Sequence, residues 1–439
     1  MKLSSYPRER LLIALIALAT FPMLAGFGAQ DTSRMALSES IVSRGSVDID
    51  PYWRGTLDRS FKSGHWYSDK APGISFLLVP AEATLHVVDA IGSGAHGRPP
   101  WERPIVRWLF RLVAGGLPLL GLVILIGRAS EGLIPGTGGA AAVVFGLGTM
   151  AGSLGPTVFG HLASALMLFG GFILASRAAS SRAWLGVGAL GGGAVLFEYL
   201  GGMGTIVLAV YALIRGGRGA ALRVVLGGVP AALLLGLYDW AAFGSPFHLS
   251  YSYVANQFAG EQSKGLFGIG VPSLHGLADT FINAQGLLIV SPVLVLAAIG
   301  YRAFVRAARR EALTAAVIAA AYVITTTGYF LPHGGDSPGP RFAAAALPFL
   351  MLGFPFALVR YRLATAALAL YSVGMAMFDE ITWTDANALD FIQWPETVYS
   401  HSGFSARLGT LAVLVAAGAA VAVVAPRTLA AVRVVQPVR

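Results

Sequence analysis

The sequence predicts an all-α polytopic membrane protein with about twelve transmembrane helices and external juxtamembrane helices after the first. Three observations predict it. The 439 residues are 55% hydrophobic and 12% charged, with mean hydropathy +0.68, against about 25% charged in soluble proteins. Apolar runs long enough to cross a bilayer recur along the chain, and in lipid a run of about 20 apolar residues reads as a helix. The basic residues collect in alternate loops, as cytoplasmic loops do. Absence of cysteine excludes disulfides and thiolate metal sites. The net charge of +9 then belongs to those loops and not to a nucleic-acid surface.

The first 29 residues, a basic start followed by LLIALIALATFPMLAGFGA, read as an uncleaved first span. Further runs lie at 105–127, 138–155, 157–176, 184–198, 199–214, 224–243, 284–301, 313–331, 342–359, 364–378 and 406–425. The stretch 73–92 is ambiguous, and the positive-inside rule decides it. If it does not cross, the cytoplasmic segments hold eighteen Lys/Arg and only three acids, Glu9, Glu131 and Glu311. If it crosses, the basic residues from Arg128 onward fall outside. Within it Ser75, Glu82, His86 and Asp89 form one stripe of a helix. An apolar helix with an acidic stripe lies in the interface, and Pro72 suits its first turn. The stretch is therefore expected as an external juxtamembrane helix.

This predicts one transmembrane domain over 1–439, both termini cytoplasmic, in a bacterial plasma membrane. The largest external segment is 30–104; 244–283, 332–341 and 380–405 are smaller. The working face is expected outside, where the unusual polar residues collect. No nucleotide motif, internal repeat or Ser/His/Asp triad is legible.

Asp31 follows the first span. Ser33 to Ser43 reads as a short helix with Asp31 at its N-terminal end, a position expected to keep the carboxylate ionised and fit to orient or deprotonate a nucleophile. Asp69 and Lys70 stand beside the juxtamembrane helix, where a lipid phosphate would sit, and Lys is a point-charge phosphate binder. LPHGGDSPGPRF supplies His333, Asp336 and Arg341. Arg341 opens a helix, a place where anions are favoured. His161 (TVFGH), Glu198 and Tyr199 (LFEYLGG) and Asp239 (GLYDW) are ionisable groups at helix ends, candidates by their placement. FGSPFHLSYSYVANQF, with Tyr251, joins aromatic faces to hydroxyls, which suits a sugar and equally an interfacial aromatic belt. Arg34, His65 and Tyr67 complete the expected pocket. No His/Asp/Glu spacing in the chain makes a strong metal site; His65 and Asp69, spaced i, i+4 in an expected loop, are weak.

The order of these elements resembles the GT-C membrane glycosyltransferases, in the branch of protein O-mannosyltransferases and lipid A aminoarabinose transferases. An acid after the first helix, SRMALSESIVSRGSVDIDPYW, then SDKAPG in the manner of an EKPP-like motif, carry the resemblance, with GGDSPGPR, FGH, EY and FGSPF in support. It implies an inverting transferase on the outer face, moving sugar from a polyprenyl-phosphate donor to a lipid, glycan or protein acceptor. It implies Asp31 as the catalytic carboxylate with Asp69 positioning Lys70 or the acceptor. Lys70, Arg341 and His333 are implied on the donor phosphate. The chain reads QDTS where many relatives carry a di-acidic pair, so a divalent metal is compatible with the chemistry but unsupported, and no other cofactor is implied.

Two other classes compete: a transporter or flippase of lipid-linked sugars, and a surface-polysaccharide polymerase or ligase. A transporter calls for repeated halves and midplane polar residues. A polymerase calls for a late key loop. The dominance of the 30–104 segment favours the transferase.

Overall fold

The computed structural model describes residues 7–20, 28–91, 99–335, 337–382 and 418. In chain order the helices are α1 (Pro7–Thr20), α2 (Ala29–Arg44), α3 (Gly73–Ile91), α4 (Pro104–Arg111), α5 (Leu117–Leu133), α6 (Gly138–Leu147), α7 (Met150–Leu154), α8 (His161–Arg177), α9 (Ser181–Phe197) and α10 (Gly201–Phe243). There follow α11 (Ala259–Gln262), α12 (Leu274–Phe281), α13 (Leu287–Val290), α14 (Val293–Ala307), α15 (Arg309–Gly328), α16 (Leu347–Leu350), α17 (Phe354–Arg360) and α18 (Arg362–Thr382). A π turn joins α4 to α5 without a break. Strands β1 (Arg59–Lys62) and β2 (His65–Ser68) lie between α2 and α3.

Among the described residues, five helical stretches are long and apolar enough to cross a membrane: Gly73–Ile91, Pro104–Leu133, Gly201–Phe243, Arg309–Gly328 and Arg341–Arg360. Arg10–Thr20, Gly138–Leu147, His161–Arg177 and Arg362–Ala376 are shorter and apolar. The chain is a multi-pass membrane protein. Several expected spans divide differently. The run 138–155 breaks where Thr149 turns its hydroxyl to the Ala151 N–H and caps α7. The runs 199–214 and 224–243 join into α10, interrupted at Gly217, whose φ of 73° and ψ of −173° leave the helical region. The run 284–301 breaks before Pro292, which lacks the N–H a continuous helix needs. The twelfth run, 406–425, falls outside the described residues apart from Gly418.

The expectation of an all-α chain needs one correction. β1 and β2 pair antiparallel, Arg59 opposite Ser68 and Lys62 opposite His65. The two-residue turn Ser63–Gly64 takes φ of 52° and 90°, the left-handed pair that matches the twist of a tight hairpin. So YSDK, expected as loop, begins on a strand. Ser60 on β1 donates to the Ser250 carbonyl at 2.7 Å and bridges Val254. The hairpin thus ties the 250–254 segment to the turn that follows β2.

A second correction concerns the acidic stripe of α3. It does form one face, but that face turns toward protein, not water. Ser75 and Glu82 are fully buried, His86 Nε2 meets Glu39 Oε2 at 2.8 Å, and Asp89 takes two hydrogen bonds from Arg103 at 2.8 and 2.9 Å. Leu77, Val87, Val88 and Ile91 are the large apolar side chains left exposed. The partners on α2 and before α4 are distant in sequence, so periodicity located the stripe without saying what faces it.

Two large apolar cores organise the described residues, beside a small third cluster of Val290, Met375 and Ala376. The larger runs through the bundle, from Leu12 and Ile16 on α1 to Phe349 and Phe354. The smaller gathers Met35 and Leu37 of α2, Tyr67 of β2, Ile74 and Leu78 of α3, Phe110, Val158, and Tyr238 and Phe243 of α10. Polar groups collect at the two opposite ends of the bundle. One end holds His161, Glu198 and Arg341; the other joins Arg215 to Glu311, to Tyr211 and to the Ser176 carbonyl.

A candidate active site of buried ion pairs

The smaller core carries the site. α2 brings Asp31 and Arg34 one turn apart. Asp31 is 1% exposed; Oδ2 accepts from Arg111 at 2.9 Å and Oδ1 from the Val158 N–H at 3.0 Å. Burial pushes its carboxyl up from the ordinary value, and Arg111 and the Val158 N–H pull against it. The expected low pKa is therefore not met. The helix end and its partners favour the charged form, but burial outweighs them. Arg34 is wholly buried. It donates to Glu198 at 2.6 Å and to the Gln30 side chain. The i, i+4 spacing of Gln30 and Arg34 holds the guanidinium aimed across the site.

Lys70 leaves β2 two residues after Ser68. Its Nζ lies 3.1 Å from Asp58 and 3.2 Å from Asp69. Burial opposes its charge, but those two carboxylates overcome it and raise its pKa, so Lys70 stays protonated. Burial pushes the Asp69 carboxyl up to about 7, against the pull of Lys70. The turn is wedged in place by Gly73: a Cβ there would stand 2.5 Å from the Leu196 carbonyl oxygen. This close approach brings the start of α3 against the corner that carries Glu198 and Tyr199.

That corner meets α8. His161 Nδ1 lies 3.7 Å from Glu198, and its ring stands edge-on between Phe159 and Phe342, at 5.9 and 5.7 Å. Tyr199 hydrogen-bonds Ser250 at 3.1 Å and meets Tyr251 edge-to-face at 5.3 Å. Ser250 also donates to the Asp69 carbonyl at 2.8 Å, so the aromatic segment and the Lys70 turn form one unit.

Arg341 closes the cluster. It is 7% exposed, its guanidinium lies over Phe159 at 5.0 Å and near Phe342 at 5.6 Å, and Nε is buried with no hydrogen-bond partner. Among the described residues no carboxylate lies within ion-pair distance of it, although its charge is felt by Lys70, His161 and Glu198. The other cations have partners: Arg111 with Asp31, Arg34 with Glu198, Lys70 with Asp58 and Asp69. A buried cation stacked on aromatics with no carboxylate within ion-pair distance is chemically suited to receive an anion.

The structure brings together Asp31, Arg34, Asp69, Lys70, His161, Glu198, Tyr199, Tyr251 and Arg341. It sets three others apart. His65 is exposed and pairs with Asp50 at 2.7 Å; extended backbone advancing about 3.3 Å per residue carries it away from Asp69. Tyr67 packs on Phe243 at 5.3 Å in the apolar core. His333 is half-buried; burial lowers its pKa, and the charge opposing this is Asp279, not the Lys70 cluster. Asp336 lies outside the described residues. Asp239 is fully buried and neither carboxylate oxygen has a hydrogen-bond partner. Sequence reasoning missed Asp58 and Arg111. A basic residue inside the outer end of an apolar run was the available signal for Arg111.

Beside α2 opens a cleft of about 900 Å³, lined by Thr32, Glu39, Tyr52, His86, Trp101 and Arg107 among others. Thr32 follows Asp31 directly in the chain, so the cleft is lined by the neighbour of the buried carboxylate.

The architecture is the GT-C fold of membrane glycosyltransferases. Similar solved structures include those of the lipid A aminoarabinose transferase ArnT from Cupriavidus metallidurans. Its apo state matches at 17% identity and a TM-score of 0.50, covering 96% of this chain and 75% of that one. The same protein bound to undecaprenyl phosphate matches at 16% identity, also with a TM-score of 0.50 and the same coverage. The Archaeoglobus fulgidus oligosaccharyltransferase AglB, in complex with an inhibitory peptide and a dolichol-phosphate, aligns at 11% identity and 0.48, covering 92% of this chain and 59% of that one. No protein-family model and no curated protein sequence matches the chain.

Proposed function

We propose that the protein is a membrane glycosyltransferase that moves a sugar from a polyprenyl-phosphate donor to a cell-envelope acceptor, on the external face. The carrying observation is Arg341, a buried guanidinium without a carboxylate partner among the described residues, set in the same cluster as Lys70 and Arg34. A lipid phosphate supplies the missing anion. The GT-C fold adds weight, and ArnT of that fold has been crystallised with undecaprenyl phosphate.

In this reading the acceptor enters by the cleft beside Thr32 and attacks C1 of the sugar from the face opposite the phosphate. The new bond to C1 forms as the C1–O bond to phosphate breaks. The electron pair leaves with the polyprenyl phosphate, and the configuration inverts. Each Asp31 oxygen accepts one hydrogen bond, which leaves a lone pair on each to orient the acceptor or take its proton. Asp69, pushed up to about 7, is tuned for proton transfer near neutral pH and sits against Lys70. Lys70 and Arg341 offset the charge developing on the leaving phosphate.

The test is transfer by purified protein from a panel of radiolabelled polyprenyl-phosphate sugars to lipid and glycan acceptors. Wild-type transfer that falls about 100-fold or more in Asp31→Asn, with donor binding kept, supports the assignment. Transfer that survives Asp31→Asn removes that residue from catalysis. Label crossing proteoliposome membranes without transfer replaces the reading with the transporter.

A further inference from the structure

We infer that Glu39, Glu82 and His86 form a binding site for a zinc-class divalent cation, which clasps α2 to α3 at the wall of the cleft. One ligand atom from each of the three lies within 4.8 Å of the others. His86 follows Glu82 by four residues, so both point from one face of α3 toward Glu39 on α2. His86 Nε2 stands 2.8 Å from Glu39 Oε2.

A second observation points to a ligand. Glu82 is fully buried, and its Oε1 has no hydrogen-bond partner, while Oε2 meets Ser38 at 3.3 Å and the Glu39 carboxyl stands within hydrogen-bonding reach of the group. Glu39 is 4% exposed. Two buried carboxylates at this range repel unless a proton or a cation lies between them. Arg103, the cation whose charge reaches Glu82, is held in two hydrogen bonds by Asp89.

Donor chemistry selects the ion. Two carboxylates and a neutral imidazole carry two negative charges, which a divalent cation balances. Magnesium and calcium prefer all-oxygen shells, whereas imidazole with carboxylate suits zinc. Three protein ligands leave a fourth position open, and Glu39 and His86 both line the cleft. Glu39 lies two turns along the helix that carries Asp31 and Arg34, and α3 starts three residues after Lys70. The clasp therefore ties together the two segments that bear the proposed catalytic and phosphate groups. The site differs from the group of half-buried Asp48 and Asp50 with exposed His65, whose carboxylates are already held by Arg44, Ser46 and the Trp66 N–H.

The inference is read without any sugar donor, so it stands or falls separately from the transferase reading. Full-length protein in detergent is stripped with chelator, titrated with zinc chloride alone, desalted, and assayed for bound metal and melting temperature. Wild type is expected to retain about one zinc per chain and to melt higher with zinc. Glu82→Gln and His86→Gln are each expected to bind zinc about 100-fold more weakly and to lose the shift, while Asp50→Asn keeps both. Glu82→Gln removes a buried charge, so it should fold without metal, and His86→Gln at the cleft surface checks the same point. No retained zinc in wild type means that the two carboxyls share a proton and overturns the site. Equal retention in Glu82→Gln and His86→Gln, or loss in Asp50→Asn alone, assigns the metal elsewhere and overturns it equally.

Discussion

Replacing Arg341 by methionine separates binding from stability. The guanidinium is 7% exposed, stacks on Phe159 and Phe342, and leaves Nε unpartnered. Its removal costs the folded protein cation–π contacts worth about 0.5–2 kcal/mol. It also relieves the desolvation of a buried charge lacking a close counter-ion, an effective penalty of several kcal/mol. The two effects predict a melting temperature unchanged or raised. The bound state is affected in the opposite sense. A charge-assisted hydrogen bond to phosphate contributes about 1.5–3 kcal/mol net, which is about 10- to 150-fold in dissociation constant. Binding of polyprenyl phosphate to protein in nanodiscs, followed by calorimetry, measures it, with differential scanning fluorimetry in parallel. Arg341→Lys should recover only part of the affinity, because a point charge replaces a planar fork. A well-folded Arg341→Met protein that binds polyprenyl phosphate within about twofold of wild type, below the range set by one charged hydrogen bond, would refute the anion-site argument.

Three further outcomes follow from the same geometry. Asp69 is raised from 3.8 to about 7, chiefly by burial; its stabilising share is full below its unfolded pKa and is lost as pH rises through about 7. Phosphate binding beside Lys70 favours the neutral form, so affinity should fall as pH rises through that value, and the dependence should vanish in Asp69→Asn, as a pH series of binding isotherms would show. Arg34→Met should destabilise by about 3–5 kcal/mol, since it leaves buried Glu198 without its 2.6 Å partner. Adding Glu198→Gln should restore much of that loss in chemical denaturation. Gly73→Ala places a Cβ 2.5 Å from the Leu196 carbonyl and should cost about 1–3 kcal/mol by the same measurement.

Some of this could be read from residue order. Apolar runs, loop charge and the short helix from Ser33 announced a membrane protein with an elaborated first segment, because hydropathy and helical period are local properties. Asp31, Lys70 and Arg341 were legible for the same reason: each is a charge at the edge of an apolar run, where a charge needs a purpose. His65 and Tyr67 misled because proximity to Lys70 along the chain is not proximity in space: an extended strand advances about 3.3 Å per residue and carries its side chains into different surroundings. Arg111 was passed over because its partner, Asp31, lies 80 residues away.

The sequence by itself determined the class of molecule, the location of its polar residues and one register of the acidic stripe on α3. Only the tertiary structure decided the pairing. It set Arg111 on Asp31, Arg34 on Glu198 and Asp58 beside Lys70, and so left Arg341 as the cation lacking a carboxylate among the described residues. Ion pairing depends on distances of a few ångströms between segments that burial of two apolar cores brings together, and no local pattern encodes those distances.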